Sequence, residues 1–285
     1  MHQSYACTQS LVLYKMNIKP ATTDVHANEV LERMLELAKA PIFPNKTANI
    51  VSILFSNRSG STFLSSLLNN SQNNNCLAGE FFSPKWLFTA NKNFDLTPND
   101  LVGLIQNLAD KGVTIFLKSS YFHYINLVDD LPSLPELIER SCLVRLKRKD
   151  VKAQVLSRVA ARMSGNWHEF NRGPNVYYNP NVLHHDPITE VMQSIAFTIG
   201  CEVGWDIFLD DLDFSEKVLT IFYEDLSSDP LYVLNQIETL ACVPKTQSID
   251  ISNPRVTRKI NSTFDISAYS KIYDQVAAFM LETKP

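Results

Sequence analysis

The sequence predicts an α/β fold, a central parallel sheet flanked by helices of the nucleotide-binding type. Three observations predict it. Short apolar runs rich in β-forming residues recur at Val51–Phe55, Val113–Leu117, Cys142–Leu146 and Val218–Phe222. Stretches of helical periodicity separate them, as right-handed crossovers between parallel strands require. The first run leads through a polar turn directly into a helix, the arrangement that places backbone N–H groups at the carboxyl edge of such a sheet. With 285 residues and 45% hydrophobic content, one core can cover all of this, and we treat residues 1–285 as one domain.

The first 25 residues are of mixed character, fitting an arm or an added strand. Ala27 to Lys39 predicts an amphipathic helix, with Val30, Leu31, Met34, Leu35 and Ala38 on one face and Pro41 beyond its end. Residues 1–45 therefore form an N-terminal arm and helix, and 46–270 the core. Val51, Ile53 and Phe55 make the first strand, and Leu64, Leu67 and Leu68 give the following helix a sheet-facing stripe. Asn69 to Asn75 is a polar turn. Thr97-Pro98 opens a helix that runs to Asp110 and stops at Lys111-Gly112. The next strand, Val113–Leu117, leaves Lys118 at its end, on the ligand edge. Cys142–Leu146 leads through Lys147-Arg148-Lys149-Asp150 into a helix from Val151 to Met163 that carries Ser157.

Residues 165–187 differ from the rest. Trp167, His168, Tyr177, Tyr178, His184 and His185 stand among Asn, Pro and Gly, as in an irregular binding loop whose aromatic faces suit a hydroxylated acceptor. A helix from Ile188 to Leu209 follows. The strand Val218–Phe222 ends in a Tyr-Glu-Asp-Leu turn. Asp229 then caps a helix with Pro230 at its first position and Leu231, Leu234, Ile237 and Leu240 as its stripe. A final helix begins near Ser267.

Composition narrows the function. A net charge of −4 argues against a broad nucleic-acid-binding face, so an anion site has to be local. No run of eighteen apolar residues predicts a membrane span, and the N-terminus lacks a secretory pattern, which places the chain in the cytoplasm. Cys7, Cys76, Cys142, Cys201 and Cys242 are scattered and fit reduced thiols, Cys142 and Cys201 as core filler. Adjacent His184 and His185 project differently and have no third ligand at metal spacing, so no metal is expected.

The chemistry concentrates in Ser56-Asn57-Arg58-Ser59-Gly60-Ser61-Thr62. A tight turn at a helix N-terminus gathers N–H groups and partial positive charge, which suits phosphate or sulfate. The triphosphatase pattern needs a lysine after its second glycine; here the strong cation, Arg58, comes first. This loop resembles the 5′-phosphosulfate loop of sulfotransferases, and Arg-Ser-Gly-Ser-Thr is more similar to the bacterial trehalose 2-sulfotransferase family than to the animal cytosolic enzymes. The helix Ala153-Gln154-Val155-Leu156-Ser157 after Arg148-Lys149-Asp150, and the segment Ala78-Gly79-Glu80-Phe81-Phe82, resemble the same family. The likeness extends from Ile50 to about Tyr269.

That resemblance implies transfer of a sulfuryl group from 3′-phosphoadenosine 5′-phosphosulfate, without metal, to a hydroxyl of a sugar, glycolipid or other small acceptor. It implies Glu80 as general base, with Phe81 and Phe82 as an apolar wall that desolvates it. Arg58, Ser59, Gly60, Ser61 and Thr62 bind the phosphosulfate. Ser157 takes the 3′-phosphate with Arg148 or Lys149: many relatives place an arginine eight residues before the serine, which is Lys149 here, with Arg148 one earlier. Arg258 closes the cofactor site, and Lys118, Trp167 and His168 face the acceptor. Relatives also suggest a homodimer. The competing readings are a P-loop kinase acting on a small molecule with ATP, disfavoured by the missing loop lysine, and a nucleotide-binding protein without turnover.

Overall fold

The computed structural model describes residues 25–41, 50–70, 76–164, 186–212, 218–249 and 265–282. Five strands form one sheet: β1 (Ile50–Phe55), β2 (Cys76–Gly79), β3 (Thr114–Ser120), β4 (Cys142–Lys147) and β5 (Leu219–Phe222). Their order is β2-β3-β1-β4-β5, and every neighbouring pair is parallel. The connections are helical: α1 (Val25–Lys39), α2 (Ser61–Asn70), α3 (Pro84–Phe94), α4 (Pro98–Asp110), α5 (Tyr121–Leu127), α6 (Ser133–Glu139) and α7 (Val151–Ser164). They continue with α8 (Pro187–Asp211), α9 (Tyr223–Ser228), α10 (Pro230–Leu240) and α11 (Ser267–Glu282).

Alternation along β1 divides the core in two. Val51, Ile53 and Phe55 pack with Leu64, Leu67 and Leu68 of α2 and with Val233, Leu234 and Ile237 of α10. Leu54 faces the other layer, where α1, α3, α4 and α6 meet Trp205 and Leu209 of α8. The three α2 leucines are almost wholly buried, each worth about 1.5–3 kcal/mol relative to an exposed side chain. Beyond the sheet, Val155 and Val159 of α7 pack on Val191 and Ile195 of α8, with Tyr269, Ile272 and Tyr273 of α11 against them. No helix among the described residues is long and apolar enough to cross a membrane.

Several expectations need correction. β3 runs to Ser120 rather than stopping at Leu117, so Lys118 lies inside the strand and is buried. β2 has only four residues, too few to predict. It is held at the sheet edge by Asn69, whose amide donates to the Ala78 carbonyl and accepts from the Ala78 N–H, both at 2.9 Å. That side chain mimics a neighbouring strand's backbone, and Asn69 and Asn70 belong to α2 rather than to a turn. Tyr-Glu-Asp-Leu is the start of α9. On α10 the buried face is Val233, Leu234, Ile237 and Glu238, with Leu231 and Leu240 only partly covered. Glu238 turns inward because its carboxylate accepts from the Thr246 N–H at 2.7 Å. Cys201 is buried, whereas Cys142 is only half-buried.

Candidate functional site

β1 ends where its two neighbours lead away to opposite sides, the switch point at which open α/β sheets bind ligands. The loop between Phe55 and α2 is held from several directions. Arg58 adopts φ 69° and Gly60 φ 92°, both left-handed. Glycine is required at 60 for a second reason: a Cβ there would lie 2.3 Å from the Tyr223 ring, which covers the turn. The Ser59 N–H donates to the Ser56 carbonyl at 3.3 Å, and the Leu64 N–H to that of Gly60 at 3.0 Å.

Side chains hold the remaining loop carbonyls. Arg145 donates to Leu54 O at 3.3 Å, Trp205 Nε1 to Phe55 O at 3.0 Å, Gln154 to Asn57 O at 3.0 Å and Arg148 to Arg58 O at 3.3 Å. Below them Ser56 Oγ accepts from Gln154 at 2.7 Å and donates to Glu202, which also pairs with Arg145. Burial lowers the Arg145 pKa, while Glu202 and Asp206 oppose that shift. In contrast, the Ser59 hydroxyl is fully buried with no hydrogen-bond partner, a state that costs about 1–3 kcal/mol unless something fills it.

On the β4 side of the loop, arginines gather. Arg58 Nε donates to Ser157 Oγ at 3.0 Å across 99 positions of sequence. Arg148 stacks its guanidinium 4.7 Å from the centre of the Tyr223 ring. Burial and then the Arg148 charge push the Arg58 pKa below its ordinary value, with Tyr223 opposing. Arg158 lies over Phe197 at 3.5 Å, and burial followed by the nearby Arg162 charge lowers its pKa to about 10. Cations crowded like this repel one another, and a bound anion relieves the repulsion. Lys149 is placed differently: it is 52% exposed, pairs with Asp225 at 2.8 Å and lies over Phe222. Glu224 accepts from the Lys149 and Asp150 N–H groups at 3.0 and 3.2 Å, fixing the turn that presents Arg148.

On the β3 side the groups are of another kind. Gly79 pairs with Leu117, so Glu80 arrives beside Lys118. The Lys118 ammonium is 3.6 Å from Glu80 Oε2 and 5.5 Å from the centre of the Phe55 ring. Burial lowers the Lys118 pKa, and Glu80 works against that shift. His123 Nδ1 lies 2.9 Å from Glu80 Oε1, off the line of a hydrogen bond. Ser120 Oγ donates to Asn57 Oδ1 at 2.9 Å and ties this side to the loop.

Glu80, Lys118, Arg58, Ser59, Gly60, Ser61, Thr62, Arg148 and Ser157 thus cluster around one sheet edge. Phe81 and Phe82 do not form an acceptor wall: both are core residues, Phe81 having no exposed surface and packing edge-on to Trp86 at 5.0 Å. Arg258, Trp167 and His168, with the rest of 165–185 and the first 24 residues, lie outside the described residues. Two neighbours were not singled out from sequence, His123 and the ring of Tyr223. For His123 the only signal was its place just past a strand end on the ligand edge. No cluster of three or more metal-ligating side chains occurs among the described residues.

No family model matches the chain, and no curated protein matches it. Among solved structures it is similar to a sulfotransferase domain from the olefin synthase of Synechococcus PCC 7002. The identity is 15% and the TM-score 0.35, over 84% of this chain and 98% of that one. Likeness at that score carries no weight for function.

Proposed function

We propose that this protein is a sulfotransferase of the trehalose 2-sulfotransferase type, taking a sulfuryl group from 3′-phosphoadenosine 5′-phosphosulfate to a hydroxyl of a sugar or related metabolite. The observation that carries the reading is the contact of Arg58 with Ser157, beside Arg148 and a loop whose buried Ser59 hydroxyl lacks a partner. A dianionic phosphate matches that set of guanidinium forks and hydroxyls. When bound, the phosphosulfate supplies an activated sulfuryl group whose bond to the 5′-phosphate breaks in transfer.

In this reading Arg58 and the N–H groups from Ser59 to Thr62 hold the 5′ end and stabilise charge growing on the leaving phosphate. Ser157 and Arg148 hold the 3′-phosphate; Lys149, committed to Asp225, does not. Glu80 accepts the acceptor's proton as its oxygen bonds to sulfur. Lys118, 3.6 Å away, holds that carboxylate in place.

The test is thermal. The desulfated nucleotide, 3′-phosphoadenosine 5′-phosphate, is expected to raise the melting temperature in the presence of a chelator. At ~100 times its dissociation constant it should add roughly 2.7 kcal/mol of stability. No shift at millimolar nucleotide, with a clear shift for magnesium-ATP, would replace the sulfotransferase reading with a kinase.

A further inference from the structure

The two oxygens of Glu80 face different partners, and the difference bears on what happens to a proton once it arrives. Oε2 faces Lys118, an ammonium buried inside β3. A protonated Glu80 would leave that buried ammonium without its counter-charge, a costly state, so the carboxylate cannot keep a proton for long. Oε1 faces His123 Nδ1 at 2.9 Å. Nδ1 is itself buried, the imidazole as a whole retains 20% exposure, and the carboxylate beside it is 23% exposed.

α5 gives that imidazole a fixed position. Tyr121 lies against Gly204, where even a methyl group would collide with its ring at 2.1 Å. Phe122 packs on Phe197 at 5.5 Å between ring centres. His123, next in sequence, is therefore on a helical turn anchored against α8. A neutral imidazole can take a proton at one nitrogen and release one from the other.

We propose that His123 is a relay and positioning residue for Glu80, in the sulfuryl transfer on which this inference rests. As the acceptor's O–S bond forms, its O–H bond breaks and the proton passes to Glu80. The electron pair of the cleaved S–O bond leaves with the 5′-phosphate of the nucleotide. Once the His123 ring turns Nδ1 into line with Glu80 Oε1, the proton moves across, the Nε2 proton leaves to water, and solvent exchange restores the starting tautomer.

The test follows conversion of 3′-phosphoadenosine 5′-phosphosulfate to 3′-phosphoadenosine 5′-phosphate, with water as the acceptor. His123→Ala should lower kcat by roughly 10²-fold, the lower end of what a positioned proton-transfer group contributes, with KM for the phosphosulfate unchanged. His123→Gln should not recover the rate, because an amide keeps the contact but cannot carry the proton. Added imidazole should restore part of the His123→Ala rate and none of the Glu80→Gln rate. The double variant should be no slower than Glu80→Gln alone, since the two act as one unit. Losses that multiply, or a fully active His123→Gln, would overturn the relay and leave the transferase reading standing. A wild-type protein that neither binds the desulfated nucleotide nor consumes the phosphosulfate overturns both.

Discussion

The two flanks of the β1 loop are built from opposite materials. Toward β4, Arg58 meets Ser157, Arg148 donates to the Arg58 carbonyl and Arg158 lies close enough to feel the Arg58 charge, while Glu224 answers Arg148 from 3.9 Å. Toward β3, the cation Lys118 is matched by Glu80, with His123 completing the group. A flank rich in guanidinium forks and hydroxyls is prepared to hold an anion, while a flank that pairs an ammonium, a carboxylate and an imidazole is prepared to move a proton between them. In the proposed reaction these are separate tasks, and their separation by the width of one strand predicts that they can be damaged independently.

The largest effect should come from the β3 flank. Glu80→Gln keeps size and polarity but cannot accept a proton at useful pH, so turnover should fall by about 10²–10⁴. Affinity for the desulfated nucleotide and the melting temperature should hold. Calorimetric titration beside a rate assay measures both, and a parallel loss of binding would mean the flanks are not separable.

A smaller effect belongs to the β4 flank. Arg148→Ala should weaken 3′-phosphoadenosine 5′-phosphate by roughly tenfold to a hundredfold, as expected from a lost charged hydrogen bond of ~1.5–3 kcal/mol. Adenosine 5′-phosphosulfate, lacking the 3′-phosphate, should be little affected. Lys149→Ala removes an exposed ion pair, worth about 0–1 kcal/mol, and a contact over the Phe222 ring, and should leave both affinities near wild type. The reverse pattern would move the 3′-phosphate contact to Lys149.

The smallest effect is on stability. Burial would raise the Glu224 carboxyl, but the N–H donors of Lys149, of Asp150 and of Glu224 itself, together with the Arg148 charge, hold it below its ordinary 4.5. A carboxyl depressed in the fold stabilises it above the unfolded value and loses that contribution as pH falls through the folded one. Glu224→Gln should therefore unfold at lower urea than wild type at neutral pH, and the gap should close in acid below 4.5. A gap that persists there would assign the difference to packing.

Much of this arrangement was legible in the sequence because it is local. The strand, polar turn and leucine stripe lie within twenty residues, and Arg148 and Ser157 share one turn-and-helix unit. Where pairing depends on distant partners, legibility ended. β2 needs Asn69 to complete its edge, and β3 continues through Lys118, Ser119 and Ser120 because Glu80 and Asn57 satisfy polar side chains that look like a strand end. His123 gave no signal beyond its place past a strand end, since only the fold brings it beside Glu80. Tyr-Glu-Asp-Leu announced a chain reversal but not that its tyrosine would cover Gly60.

The side-chain donors beneath the loop have a consequence for ion choice. From Leu54 to Arg58, each of five successive carbonyl oxygens already receives a hydrogen bond, from Arg145, Trp205, Ser59, Gln154 and Arg148 in turn. Hard cations are coordinated through oxygen, so one seeking these atoms would first have to evict an indole, an amide or a guanidinium. An anion has no use for those oxygens and disturbs none of the five contacts. The turn therefore discriminates by sign of charge before any ligand-specific group is engaged, through oxygens that are occupied in advance.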